Sequence, residues 1–224
     1  MKLLAQSLGG FAFLFAVMAA VVFGAAGTLD YWQGWAMLSV FFGAAGVITA
    51  WLWFHDKSLL ERRVKAGPGT EADPMQNVMQ ALAGLVFLAS IGLPALDHRL
   101  GWSHVPLAVA LAGDALIVVG FLVVFLTFRE NSFTAGTIEV AEGQRVVDTG
   151  PYAVVRHPMY AGALFLFVGM PLALGSWWGL VVGALIVPVL AWRLLREEAF
   201  LRGHLAGYAD YAARVRHRLA PGLW

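Results

Sequence analysis

Long apolar stretches alternate with short polar ones along nearly the whole chain. Four of them, about Leu8 to Leu29, Trp32 to Phe54, Asn77 to Leu96 and Val105 to Phe128, approach the ~20 residues needed to cross about 30 Å of hydrocarbon. A polar loop from His55 to about Gln76 carries Lys57, Glu61, Arg62, Arg63, Lys65 and a Gly67-Pro68-Gly69 turn. The longest polar segment runs from Arg129 to His157. The chain is then apolar from Met159 to Trp192, too long for one comfortable crossing. Gly175-Ser176 followed by Trp177-Trp178 marks a turn at a membrane interface, where tryptophan prefers to sit, so this stretch predicts a hairpin of two short spans. The tail, Arg193 to Trp224, is polar to amphipathic. The pattern predicts an all-α polytopic membrane protein with about six transmembrane helices. Residues 1–128 form a four-helix scaffold, and 129–224 a loop, a helical hairpin and an amphipathic C-terminal helix, within one structural domain.

Composition agrees. The chain has 224 residues, 60% of them hydrophobic and 13% charged, with a mean hydropathy of +0.73. Ordinary soluble domains are about 45–50% apolar and about 25% charged. Lys2 precedes the first apolar stretch, but that stretch is longer than a signal-peptide core and counts as a span. A net charge of +1 leaves no basic footprint for nucleic acid, so the bilayer is the expected partner. With no cysteine there is no disulfide, no thiolate nucleophile and no Cys-ligated metal. No pair of histidines has metal spacing, and no metal is expected. Six spans with the N-terminus inside place every Lys and Arg except Arg99 on one face. The positive-inside rule then puts both termini in the cytoplasm, with the inner membrane of a bacterium as the expected location. The 129–157 loop, the hairpin start and the tail share that face, so they can build one site.

The densest chemistry lies in Gly150-Pro151-Tyr152-Ala153-Val154-Val155-Arg156-His157-Pro158-Met159-Tyr160-Ala161-Gly162. The prolines fix their own φ and push the preceding residues out of the helical region, and Pro158 suits the first turn of a helix. The segment reads as a turn, a short extended piece and a helix start, with two phenols, an imidazole and a guanidinium gathered just outside it. In the tail, Arg193 and Glu197 lie one helical turn apart on a shared face. Leu201, Leu205, Tyr208, Ala212 and Val215 continue the spacing as an apolar stripe that can lie on the membrane or cover a pocket.

These elements resemble the isoprenylcysteine carboxyl methyltransferase family. The likeness rests on Gly150-x-Tyr152, Arg156-His157-Pro158-x-Tyr160-x-Gly162, an apolar hairpin, Arg193-x-x-x-Glu197-Glu198, Tyr208-x-x-Tyr211 and Arg218-Leu-x-Pro-x-x-Trp224. Phospholipid N-methyltransferases carry a similar pattern. The resemblance covers about residues 129–224 and implies a membrane-embedded enzyme using S-adenosyl-L-methionine without a dinucleotide-type domain. In keeping with it, no Gly-x-Gly-x-x-Gly follows a predicted strand. By the resemblance, Gln144, Arg145, Val146 and Val147, then Tyr152, His157, Pro158, Met159, Tyr160 and Glu197 line the cofactor pocket. Arg193 contacts and orients the acceptor. Where the eukaryotic enzymes have a histidine, this chain has Gln144.

Methyl transfer from a sulfonium is an in-line displacement that needs alignment and exclusion of water rather than a metal or a covalent intermediate. A carboxylate acceptor is already ionised and needs no base; a bidentate guanidinium such as Arg193 suits it. A lipidic or amphipathic carboxylate, methylated on oxygen, is therefore the first expectation for the acceptor. An amine on a phospholipid headgroup, or a small thiol, would need a base, which His157 or Glu197 can supply. The rival of another class is a non-catalytic scaffold or transporter, which calls for paired ionisable groups at mid-bilayer. Asp114 is the one clear charge within a span, and at a cost of about +2.5–3.5 kcal/mol it should make a structural hydrogen bond. The plain readings run beside these: Arg156 and His157 as a cytoplasmic flank, Tyr152 and Tyr160 as belt aromatics, Glu198 as a solvated carboxylate, Tyr208 and Tyr211 as packing.

Overall fold

The computed structural model describes residues 2–65, 74–134, 136, 140–222 and 224, so the Gly67-Pro68-Gly69 turn lies outside the described residues. All regular elements among them are helical: α1 (Lys2–Ala26), α2 (Trp32–His55), α3 (Lys57–Lys65), α4 (Pro74–Leu100), α5 (Leu107–Glu130), a 3-10 turn (Gly150–Ala153), α6 (Pro158–Ala173), α7 (Trp178–Ala184), α8 (Ile186–His204) and α9 (Tyr208–Arg214). Five stretches are long and apolar enough to cross a membrane: α1, α2, α4, α5 and the run Trp178–His204 that joins α7 to α8. The chain is an integral, all-α membrane protein. Its outer surface is apolar, with Phe13, Val47, Phe54 and Leu85 all exposed. Inside a bilayer such faces lose nothing against lipid, and the helices are held by close packing instead.

The hairpin forms where the sequence places it, but its arms are unequal. Its first arm is α6, of 16 residues, or about 24 Å at 1.5 Å per residue. The second arm breaks at Leu185 and then runs on to His204, so it is not short. The turn between the arms is pinned by residues at the end of α4. Asp97 accepts hydrogen bonds from Ser176 Oγ, Ser103 Oγ and the Ser103 amide. Tyr31 donates its hydroxyl to the Leu174 carbonyl and stacks on His98 at 4.0 Å. Exposed Trp32, Trp35, Trp102, Trp177 and Trp178 share this end, as an interfacial aromatic belt does.

The tightest contact in the fold is between α5 and α6, and glycines make it. A Cβ on Gly113 would lie 2.3 Å from the Ala173 nitrogen, and one on Gly120 would lie 2.8 Å from the Gly162 oxygen. Gly162 and Gly169 face the same two positions from α6, so the helices run antiparallel with their backbones in contact. Small residues at seven-residue spacing on both helices allow that approach. The register sets Pro158 beside Val124, and α5 runs on to Glu130, about 9 Å further. The start of α6 is therefore recessed below the end of α5, and the recess is where a cavity forms. Gly113→Val is expected to force the backbones apart and lower the melting temperature in detergent. Gly10→Val, which meets nothing within 4 Å, should change it little. Equal melting of the two variants would show the close approach to be dispensable.

Asp114 departs from expectation. It is 9% exposed and its Oδ1 has no hydrogen-bond partner; the structure shows no bond that accounts for a carboxyl there.

Candidate functional site

The recess is closed by two segments that the sequence leaves irregular. From Asn131 the chain crosses the end of α5 and returns through the 3-10 turn to α6. From the other side, α8 ends at His204, the chain turns at Gly207 (φ +81°), and α9 packs beneath. The apolar stripe predicted as one helix is thus two pieces, and Leu205, Tyr208, Tyr211 and Ala212 bury its face against Val146 and Tyr152. It covers a pocket rather than spreading outward. Gly150 is required where the strap descends: its φ is +55° and a Cβ there would lie 2.4 Å from Glu130 Cγ.

Between these parts lies a cavity of about 400 Å³, within the usual range for a small-molecule site. Gln144, Arg145, Val146, Val147, Tyr152, His157, Pro158, Met159, Tyr160, Arg193 and Glu197 all line it. The structure therefore brings every sequence-predicted site residue to one wall. Their engagement differs. Tyr160 donates its hydroxyl to Glu197 Oε2 at 2.7 Å, and Arg193 Nε donates to the same hydroxyl oxygen at 3.2 Å. One phenol thus stands between a guanidinium and a carboxylate. Arg193 also donates to Gln76 Oε1 at 3.2 Å and to the Gly136 carbonyl at 2.9 Å, which fixes the guanidinium plane. The pair is no plain surface ion pair. Tyr152 accepts from Asn131 Nδ2 at 3.1 Å, and Tyr211 donates to the Tyr152 carbonyl at 2.8 Å. Gln144 spends its Oε1 on the Ala141 amide, closing its own turn, and Arg145 sits exposed at the rim.

His157 faces both ways. Its ring stacks on Tyr160, with centroids 5.6 Å apart, while Nε2 lies 3.3 Å from Glu198 Oε1. Glu198, expected to be solvated, is 3% exposed. Arg156 Nε donates to Glu198 Oε1 at 2.6 Å, and Arg218 Nε donates to Oε2 at 3.3 Å. Arg156 Nη1 also donates to the Val215 and Arg216 carbonyls, and the Arg156 and His157 amides bond the His217 and Arg218 carbonyls. Arg156 and Glu198 are thus the knot that ties the start of α6, α8 and the tail together, not a flank. A buried charge is tolerable only when paired in this way.

Burial raises the hydroxyls of Tyr152, Tyr208 and Tyr211 above the ordinary phenol range. All three remain protonated donors near neutral pH. Tyr152 and Tyr211 have the partners given above. Tyr208, 4% exposed and lining the cavity, has no hydrogen-bond partner for its hydroxyl among the described residues. Arg63 on α3 also reaches the wall, its Nη1 3.8 Å from Met159 Sδ, and burial lowers its pKa from the usual guanidinium value. Sequence reasoning missed Arg63, Tyr208, Asn131 and the α4 residues Gln76, Met79, Gln80 and Ala83. Asn131 carried a signal, as the polar residue that ends a long apolar helix, and Tyr208 carried one as part of the Tyr208-x-x-Tyr211 pair.

The model of the phospholipid methyltransferase family matches residues 108–206. That stretch runs from the start of α5 to just past α8 and supplies most of the wall, leaving out Arg63, the α4 residues, Tyr208 and Tyr211. The match supports a membrane methyltransferase of this family, the kind of protein whose pattern the sequence resembles. Among curated proteins no relative matches.

Proposed function

We propose that this chain is an integral membrane enzyme that moves a methyl group from S-adenosylmethionine to a lipidic or amphipathic acceptor, with a carboxylate as the first candidate. The observation that carries this reading is the meeting of Arg193, Tyr160 and Glu197 at one hydroxyl on the wall of a nucleoside-sized cavity. The residues present fit the donor: a carboxylate suits its ammonium or hydroxyl groups, and the unpartnered Tyr208 hydroxyl awaits an acceptor. When bound, S-adenosylmethionine supplies a methyl on a sulfonium, which passes to the acceptor as the sulfur–carbon bond breaks.

The protein's own part is placement. Glu197, Tyr152 and His157 hold the donor side. Arg193, oriented by Gln76 and Gly136, presents a guanidinium that can take a carboxylate bidentately. Tyr160 accepts from that guanidinium and donates to Glu197, so one phenol couples the acceptor side to the donor side. Met79, Ala83, Val189 and Leu190 form an apolar side between α4 and α8, suited to a hydrocarbon chain. The strap and α9 keep water out. By the distribution of Lys and Arg, this face is the cytoplasmic one.

A second reading, an amine on a phospholipid headgroup, is favoured by the family that matches. Methyl-labelled S-adenosylmethionine, incubated with the protein and total membrane lipids, separates the two. Label lost from the lipid in mild base marks an ester; base-stable label marks an amine; no label in any lipid rejects both. Arg193→Ala is expected to lower turnover on a carboxylate acceptor by roughly 10–100-fold, the worth of a charge-assisted bond, and to leave donor affinity near wild type. Loss of donor binding instead would move Arg193 to the donor side.

A further inference from the structure

We propose that the part of the cavity beneath α9 holds the adenine ring, and that Tyr208 donates a hydrogen bond to one of its ring nitrogens. This rests on reading the cavity as the S-adenosylmethionine site and fixes which way round the donor lies in it.

The first observation is the stripe that α8 presents to the cavity. Arg193, Glu197 and Leu201 on α8 and Leu205 at its C-terminal cap all line it, the first three at four-residue steps along one helical face. The stripe is about 18 Å long, and it is graded. Its first half carries a guanidinium and a carboxylate, its second half only leucines. A methionine moiety, with its ammonium and sulfonium, belongs beside the charged half. A flat heteroaromatic ring belongs beside the other, where Val146, Tyr152 and Tyr211 complete an apolar and aromatic wall.

The second observation is the Tyr208 hydroxyl in that wall. Its neighbours Tyr152 and Tyr211 are both hydrogen-bonded; the hydroxyl of Tyr208, as buried as Tyr211, has no partner among the described residues. A buried hydroxyl left without a partner costs about 1–3 kcal/mol, so an acceptor supplied by the ligand recovers a real loss. Burial first, then the Glu198 and Glu197 carboxylates, hold the phenol protonated, which makes it a donor. Adenine ring nitrogens are acceptors; of the cations nearby, Arg156 is paired with Glu198 and Arg145 is exposed at the rim, so a neutral acceptor suits this part of the wall better than a carboxylate or phosphate.

The test is calorimetry on the full-length protein in detergent, with S-adenosylhomocysteine and its 1-, 3- and 7-deaza analogues, for wild type and Tyr208→Phe. The expected result is a roughly 3–10-fold weaker affinity of the variant for the parent ligand. One deaza analogue should show a similar loss on wild type and no further loss on the variant, since both changes delete the same bond. Unchanged affinity of the variant, or losses that simply add for all three analogues, would overturn the proposal while leaving the donor site intact. If Tyr208→Phe does not fold, equal wild-type affinity for all four ligands overturns it. Failure of wild type to bind S-adenosylhomocysteine at all would instead defeat the donor site itself, and this assignment with it.

Discussion

Glu197→Gln is expected to weaken S-adenosylhomocysteine binding by roughly 10–100-fold, the range for losing a charge-assisted hydrogen bond, with little change in melting temperature. The two halves of that expectation have separate grounds. Glutamine keeps the shape of the side chain, and its carbonyl can still accept from the Tyr160 hydroxyl that Glu197 now accepts at 2.7 Å. The local packing should therefore survive. What disappears is the negative charge of the one carboxylate among the described residues of this wall, the group suited to a cationic ammonium or to two hydroxyls at once. Calorimetry and a melting curve on the same detergent-solubilised sample read both quantities. Wild-type affinity in the variant would remove Glu197 from the donor site.

Glu198→Ala, one residue on, is expected to do the reverse: a drop of about 3–5 kcal/mol in stability, the usual result of leaving a buried charge unpaired. Successive residues on a helix point about 100° apart, so Glu197 meets the cavity while Glu198 turns into the knot with Arg156, His157 and Arg218. Arg156 would keep its Val215 and Arg216 carbonyl partners but lose the only carboxylate it bonds among the described residues. Thermal unfolding in detergent measures the effect. A melting temperature equal to that of wild type would mean this four-residue cluster is ornamental to the fold, and that α9 and the tail are held by other contacts.

Much of the fold was legible because a bilayer imposes a simple rule: apolar runs of crossing length are helices, and Gly175-Ser176 between tryptophans is a turn. Hydropathy is blind to how those helices meet. The Gly113, Gly120, Gly162 and Gly169 contact, which recesses α6 and makes the cavity, looks in sequence like ordinary small residues in apolar runs. The site showed the same division. Polar groups crowded at the start of α6 and at the end of an apolar run have few reasons to be there, so Tyr152, His157, Tyr160, Arg193 and Glu197 stood out. Arg63 and Gln76 come from a loop rich in charge and from the first turn of α4, where polar residues are commonplace and carry no contrast. Glu198 was misread because adjacent carboxylates look alike until the helix phase and the returning tail decide which is buried. Tyr208 stood in a noted Tyr208-x-x-Tyr211 pair but was set aside as packing, and its buried hydroxyl, without a partner among the described residues, marks it out.

The cavity itself is most directly tested by filling it. Ala163 on α6 lines the wall, and Ala163→Trp places an indole inside the cavity. Titration of the purified protein with S-adenosylhomocysteine should show saturable binding near one per chain for wild type and none for Ala163→Trp, with the variant's melting temperature close to wild type. Binding of equal strength to a well-folded Ala163→Trp protein, or none to wild type, would contradict the assignment of this cavity to a methyl donor.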